Sequence, residues 1–587
     1  MATQHPLQPI DGLHPIHLGY RLPPPPRRRG ETTTGPSALT APEESTSTFD
    51  PDAGRRADAR IPPDASAAAG ARPARFRRGA VEPLTYDDTL HLLTIAPTGA
   101  GKGRRLIIPA LLNQNRQVVA IDPKGENLAV TARQRARLGQ RPHAVAPFAK
   151  GSLHGAVACG INPFDILKLP DVDLEDEAAR LAHTLCQNTG GARNSRGNAS
   201  DPFWDANGMG LVAGAVLLIV SVMPPEKHHL GTLYDLLHGD DVVYNLAVLM
   251  DTAGAKAKPK TKPGKDGPPP PADKAAPPAA GDGDEGRGRM NHSAYQEVAA
   301  FLQMPEMTRG GVLATAQSYL KIFRSPKVQA SVRSTGFPIQ AFIDGAPMTI
   351  YLVLPTSKLG SHGTLLKLWT STLMRLVLER ERIPEGPTLF LLDEAAQLGH
   401  LDDLERAVTV GRGYGMQVWS FWQDLSQLET LYPSSWTGLV NNCGVVNCFG
   451  AQNHLMRGEC ARLMGVPVEL AADLAADEQL AMMDGEVVRA FLPDYLSDPA
   501  YEGLADPNPF HAPPPPPSAQ EPPKPAKPAK AEKKHQREPK RRRRADAQGQ
   551  LQFPEPLPPR GVGAEPPKDQ KPAEEKKQNQ QPKPTEG

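Results

Sequence analysis

Residues 94–112 read TIAPTGAGKGRRLIIPALL, a phosphate-binding loop with two of its usual letters changed. The usual pattern, G-x-x-x-x-G-K-[ST], closes on a hydroxyl that sits on Mg2+. Here Ala96 takes the first glycine position and Gly103 takes the hydroxyl position. The surroundings still suit such a loop. HLLTIA, residues 91–96, is a short apolar run of strand type, and RRLIIPALLNQN reads as a helix kinked at Pro109. Strand, glycine-rich turn and helix is the setting in which backbone N–H groups cradle phosphate oxygens. The reading assigns Pro97, Thr98, Gly99, Ala100, Gly101, Lys102, Gly103 and Arg104 to the nucleotide, with Lys102 facing the β- and γ-phosphates.

Moving outward, QVVAIDPKGENL supplies a second apolar strand that ends on Asp122, and RPHAVAPF a third. The pattern then changes. From residue 165 to 340, stretches such as DLEDEAARLAHTLCQ, AYQEVAAFLQM and GGVLATAQSYLKIFRS carry the 3.6-residue spacing of helices and few strand signals. Strands resume in APMTIYLVLP, GPTLFLLDEAAQLG, GMQVWSFWQDLSQL and GVVNCFGAQ. Strands alternating with helices imply a parallel sheet with ligands at its C-terminal edge. The expected fold is therefore an α/β P-loop domain over 86–164 and 341–504, with an all-helical insertion over 165–340.

Composition marks out the rest. Proline accounts for 64 of 587 residues, about twice its usual ~5%. It concentrates in residues 1–85, 253–290 and 505–587, which have little to bury and are expected to be disordered. Lys+Arg 66 against Asp+Glu 65 gives no overall basic signal for nucleic acid. Charge is local instead: KRRRR, residues 540–544, is either a solubilising run or an arm for DNA or anionic lipid. Five scattered cysteines suit a reducing compartment, and Cys443, Cys448 and Cys460 fit no standard zinc spacing. No signal peptide is visible. The longest apolar run, residues 208–223, falls short of the roughly 20 residues of a membrane span and reads as a buried helix.

LFLLDEAAQ carries the second half of the chemistry. Four apolar residues followed by Asp-Glu form a Walker B type strand end, where Asp393 holds Mg2+ through water and Glu394 orients the attacking water. Two further residues keep alternative readings. Gln423 ends the strand QVWSFW, either as a γ-phosphate sensor or as an ordinary strand-end glutamine. Arg412, in VGRGYG, is either an arginine finger toward a neighbour's nucleotide or a solvated loop arginine. Phosphate loop and Walker B together point to an ATPase.

The ordered set APTGAGKGRRLIIPALL, VVAIDPKGENLAVTARQRARLG, INPFDIL, DPFWDANGMGLVAGAVLLI, LLDEAAQLGHLDDLERAVTVGRGYGMQVWSFWQDLSQLETLYP and NNCGVVNCFGAQN resembles the type IV coupling proteins of the VirD4/TraG group. Loops ending Gly-Lys-Gly are common there, so Gly103 is a family variant. The resemblance implies a RecA-like, hexameric, ATP- and Mg2+-dependent motor that links a relaxase–DNA complex, or protein effectors, to a type IV secretion channel. It places Lys102, Asp393 and Glu394 in the nucleotide site, and matches Asp122 and Lys124 to a motif of unassigned chemistry. Such proteins usually begin with two transmembrane helices. This sequence begins with a proline-rich arm, so the expected location is the cytoplasmic face of the bacterial inner membrane, reached through partners or the basic tail. The rival expectation is an adaptor that binds nucleotide and recruits secretion substrates without turnover.

Overall fold

Alternating side chains on continuous apolar strands build a sheet covered on both faces. The computed structural model describes residues 13–22, 82–187, 202–256 and 290–510. Its strands are β1 (Ile16–Arg21), β2 (Pro83–Tyr86), β3 (His91–Ile95), β4 (Val118–Ile121), β5 (Arg141–Val145) and β6 (Val157–Ala158), followed by β7 (Met348–Leu352), β8 (Thr388–Leu392), β9 (Met416–Trp422), β10 (Cys443–Phe449), β11 (Glu478–Met483) and β12 (Glu486–Phe491). They form one sheet in the order β2-β1-β12-β11-β10-β3-β9-β8-β4-β7-β5-β6. From β10 to β6 every pairing is parallel. The other flank, β11, β12, β1 and β2, is antiparallel.

The parallel strands show why their sequences run apolar without alternation: both faces are buried. Leu93, Ile95, Val119, Ile121, Phe390 and Leu392 face one core, while Leu92, Val118, Ala120, Leu389 and Leu391 face the other. On the second face lie α1 (Ile108–Asn113) and α2 (Glu126–Arg137), through Ala110, Leu111, Leu128 and Ala132.

After β6 the chain leaves the sheet and returns at β7. Between them run α3 (Leu174–Cys186), α4 (Pro202–Val222), α5 (Leu230–Leu237), α6 (Val242–Lys256), α7 (His292–Gln303), α8 (Glu306–Leu320), α9 (Pro326–Ser331) and α10 (Ile339–Ile343). Helix α4 is long and apolar enough to cross a membrane, and half of its most apolar window is buried, against α3, α7 and α8. Then α11 (Thr356–Leu378) joins β7 to β8, and α12 (Asp402–Val410) follows β8.

Three expectations need correction. The proline-rich arm was expected to be disordered through residue 85, yet β1 lies within it and pairs with β12 and β2. Ile16, Leu18 and Tyr20 are buried, and the Tyr20 hydroxyl donates to Asp498. The stretch from 253 likewise begins as helix, because α6 runs to Lys256. The tail from 505 begins as ordered chain: Arg133 pairs with Asp506 at 2.6 Å and Asn508 donates to Glu126 at 2.6 Å. Residues 1–12, 23–81, 257–289 and 511–587, with the basic run at 540–544, lie outside the described residues.

The expected kink at Pro109 takes the form of a wide turn. Residues Gly103–Ile107 are a π-helical turn that leads into α1, with the Ile108 N–H bonded to the Gly103 carbonyl. Proline lacks a donor and its ring crowds the carbonyl four residues back, so a wider turn ahead of it relieves the conflict.

Because Leu18 is fully buried in the antiparallel flank, Leu18→Ala should cost about 2–5 kcal/mol. In urea the unfolding midpoint should fall while the slope stays unchanged. An unaltered midpoint would remove β1 from the sheet.

Candidate nucleotide site

All the parallel strands end at one edge, and the sequence places its chemistry there. The phosphate loop follows β3, flanked by the ends of β10 and β9; beyond β9 come the ends of β8 and β4. One strand, β9, thus separates the loop strand from the Asp-Glu strand β8, which is a RecA-like order. The loop is pinned at its start by the Ala96 N–H donating to the Trp422 carbonyl at 2.9 Å. Ala100 N–H closes a turn on the Pro97 carbonyl at 3.2 Å. Gly99 and Gly101 hold φ of +84° and +90°, a region L side chains rarely enter. A glycine outside the loop is needed as well. A Cβ on Gly450, at the end of β10, would stand 2.6 Å from the Ala100 Cβ.

Lys102 is buried at the foot of the loop. Its Nζ donates to the Ala96 carbonyl at 3.2 Å and lies 3.5 Å from Glu394 Oε1. The other Glu394 oxygen accepts from Gln423 Nε2 at 2.7 Å. Lys102, Glu394 and Gln423, which the sequence nominated separately, therefore form one network across the ends of β3, β8 and β9. Glu394 holds a left-handed backbone, φ +56° and ψ +50°. Such a conformation costs a non-glycine residue about 1–3 kcal/mol and clusters at functional sites.

Asp393 precedes it. Desolvation first, then the adjacent Glu394, push its carboxyl up to about 7, against the pull of Lys102 and Lys124. Among the described residues no hydrogen-bond donor is paired with it. An unpaired carboxylate with a second acid beside it suits a hard, oxygen-seeking ion such as Mg2+. Asp122, on the next strand, is committed differently. It caps α2 by accepting from the Leu128 N–H at 2.8 Å, and burial pushes its carboxyl up to about 6.

Two nominated residues point elsewhere. Arg104 is turned to Asp494, which its Nε reaches at 2.6 Å. Arg412 lies at the opposite, N-terminal edge of the sheet, before β9, where its Nε donates to Thr89 Oγ1 at 3.0 Å and its Nη2 lies 3.4 Å from Asp88 Oδ1. Within one chain it is not part of the Lys102 network. Gly450 and Asp494 were missed by sequence reasoning, since both act from more than 300 positions away.

Strand order, loop and acid pair together define a P-loop nucleotide-binding domain. The chain belongs to the type IV secretory system conjugative DNA transfer family, whose model matches residues 61–262 and 279–459. A conjugal transfer protein TraG of Escherichia coli is 24% identical over 427 residues, covering 70% of this chain and 60% of that protein. Protein VirD4 of Agrobacterium fabrum is 27% identical over 367 residues, 62% of this chain and 47% of VirD4. The chain thus spans roughly half of the length of these curated relatives. The plasmid coupling protein TrwB, solved in complex with ADP and Mg2+, aligns with a TM-score of 0.47 at 15% identity, over 69% of this chain and 85% of TrwB.

Nothing lies within 4 Å of a Cβ built on Gly103, whereas Gly101 combines a positive φ with the Arg105 side chain at 3.2 Å. Gly103→Thr should therefore fold normally and keep nucleotide affinity within about threefold, while Gly101→Ala should lose about tenfold or more. Titration with a fluorescent nucleotide checks both. Equal losses would show that the loop's shape does not set affinity.

Proposed function

We propose that this protein is an ATP-driven coupling protein of conjugative DNA transfer. In this reading it recruits a relaxase–DNA complex, or protein effectors, and delivers it to a type IV secretion channel. The observation that carries the reading is the Glu394 carboxylate, shared between Lys102 and Gln423. A bound γ-phosphate would take over Lys102 from Glu394. The released carboxylate, still fixed by Gln423, would then turn to the attacking water. The N–H groups of residues 99–102 would hold the phosphates, at the start of the helix that follows. Mg2+, bound through water to Asp393, would neutralise charge on the phosphate oxygens.

The helices between β6 and β7 form the inserted domain in this proposal, available for recognising cargo away from the nucleotide edge. In this reading the chain assembles as a homo-hexamer at the cytoplasmic face of the inner membrane, and membership of the conjugative DNA transfer family supports that picture. Arg412, remote from Lys102 in its own chain, could serve catalysis only across a subunit boundary. The rival is an adaptor that binds nucleotide without turnover, and the Glu394 carboxylate placed beside Lys102 counts against it.

Steady-state ATP hydrolysis with and without DNA separates the two. Wild type should turn over ATP faster with DNA. Lys102→Ala should lose binding and turnover together. Glu394→Gln should keep nucleotide affinity yet lose about 100-fold or more in kcat, the range of a general base. Gln423→Ala, which only releases Glu394, should lose about tenfold. Nucleotide binding by wild type without turnover, under every DNA condition and in a demonstrated hexamer, would establish the adaptor instead.

A further inference from the structure

A second cluster of ligating side chains lies beyond the nucleotide edge, on the segment that leads from Glu394 into α12. His400, Asp402 and Glu405 each present one donor atom, and these atoms lie within 4.8 Å of one another. His400 Nδ1 is 3.1 Å from Asp402 Oδ1, and its Nε2 is 3.9 Å from Glu405 Oε1. One ion takes only one of these two ring nitrogens, and one donor atom from each of the three residues already lies within 4.8 Å of the others. Zinc bonds of 2.0–2.2 Å at tetrahedral angles require donor separations of roughly 3.3 Å, so side-chain rotation of the partly exposed carboxylates has to close the remaining gap.

The donors are held by the protein. The His400 ring packs on Tyr432, centroids 5.0 Å apart, and the Tyr432 hydroxyl accepts from the Leu401 N–H at 3.2 Å. Glu405 also accepts from Ser435 Oγ. The outer oxygen of Asp402 meets two groups from the end of α3: His183 Nδ1 at 3.3 Å and Gln187 Nε2 at 3.1 Å. Support of this kind for a ligating carboxylate fixes its orientation and typically changes metal affinity 10–100-fold. All four titratable side chains remain a third to a half exposed, and a cleft of about 440 Å³ lined in part by His183 and Asp402 opens beside them. An ion therefore has a path in.

We propose that His400, Asp402 and Glu405 bind a divalent transition-metal ion of the zinc class, with His183 positioning Asp402. One imidazole among two carboxylates selects such ions over Mg2+, which prefers all-oxygen shells. The bound ion would fasten residues 400–405 to α3 through Asp402. It would thereby join the segment after Glu394 to the inserted helices.

Co2+ titration of the full-length protein tests this, with visible absorption reporting the coordination sphere and millimolar Mg2+ present throughout. Wild type should take up one Co2+ more than either His400→Ala or Glu405→Gln, and Zn2+ should displace it. His183→Ala should keep the stoichiometry and weaken affinity about tenfold. The substituted side chains are a third to a half exposed, so thermal midpoints of the metal-free variants should match wild type and exclude misfolding. Uptake that is equal in wild type and both ligand variants, or no saturable uptake by wild type, would overturn the site.

Discussion

One carboxylate, that of Glu394, ties the nucleotide edge together. It meets Lys102 at 3.5 Å and Gln423 at 2.7 Å, so the ends of β3, β8 and β9 are joined by a single acidic group. The left-handed backbone of Glu394 is the local strain that aims it there. Lys102 is buried, and a buried cation without a counter-charge is costly. With Glu394 as its partner, the apo site is stable as it stands. In the proposed mechanism a phosphate takes the place of Glu394 beside Lys102.

The parallel sheet makes this convergence possible. Its strands all end at one edge, so groups far apart in the chain become neighbours there. The antiparallel flank extends the sheet from the loop side, and the segment after β12 returns over α1 and α2. Tyr495 and Tyr501 pack with Ile108, Leu112 and Val130, while Asp494 holds Arg104. The helix that follows the phosphate loop is thereby clamped from outside the sheet as well as from within it.

Much of this was legible in the sequence, for identifiable reasons. The parallel strands announce themselves because burial on both faces demands uninterrupted apolar runs, and the loop and the Asp-Glu pair mark strand ends. β1 escaped notice because six residues interleaved with His17 and Gly19, set among prolines, give little local signal. Its stability comes from β12 and β2, distant in the chain. The hairpin of β11 and β12 also went unread, although Asp484 and Gly485, both with positive φ, form the Asp-Gly turn that marks such hairpins. The partners of Arg104 and Arg412, and the close approach of Gly450 to Ala100, depend on long-range packing that no spacing encodes. The same holds for the meeting of His183 with Asp402.

The exchange of Lys102 between Glu394 and a phosphate is the step on which the account turns. A crystal structure of the protein with Mg2+ and a non-hydrolysable ATP analogue would observe it directly. The account predicts phosphates seated on the 99–102 amides, Lys102 Nζ moved from Glu394 to the phosphate oxygens, and Glu394 still held by Gln423. A nucleotide bound away from the loop, or Lys102 still paired with Glu394 in the loaded site, would contradict it.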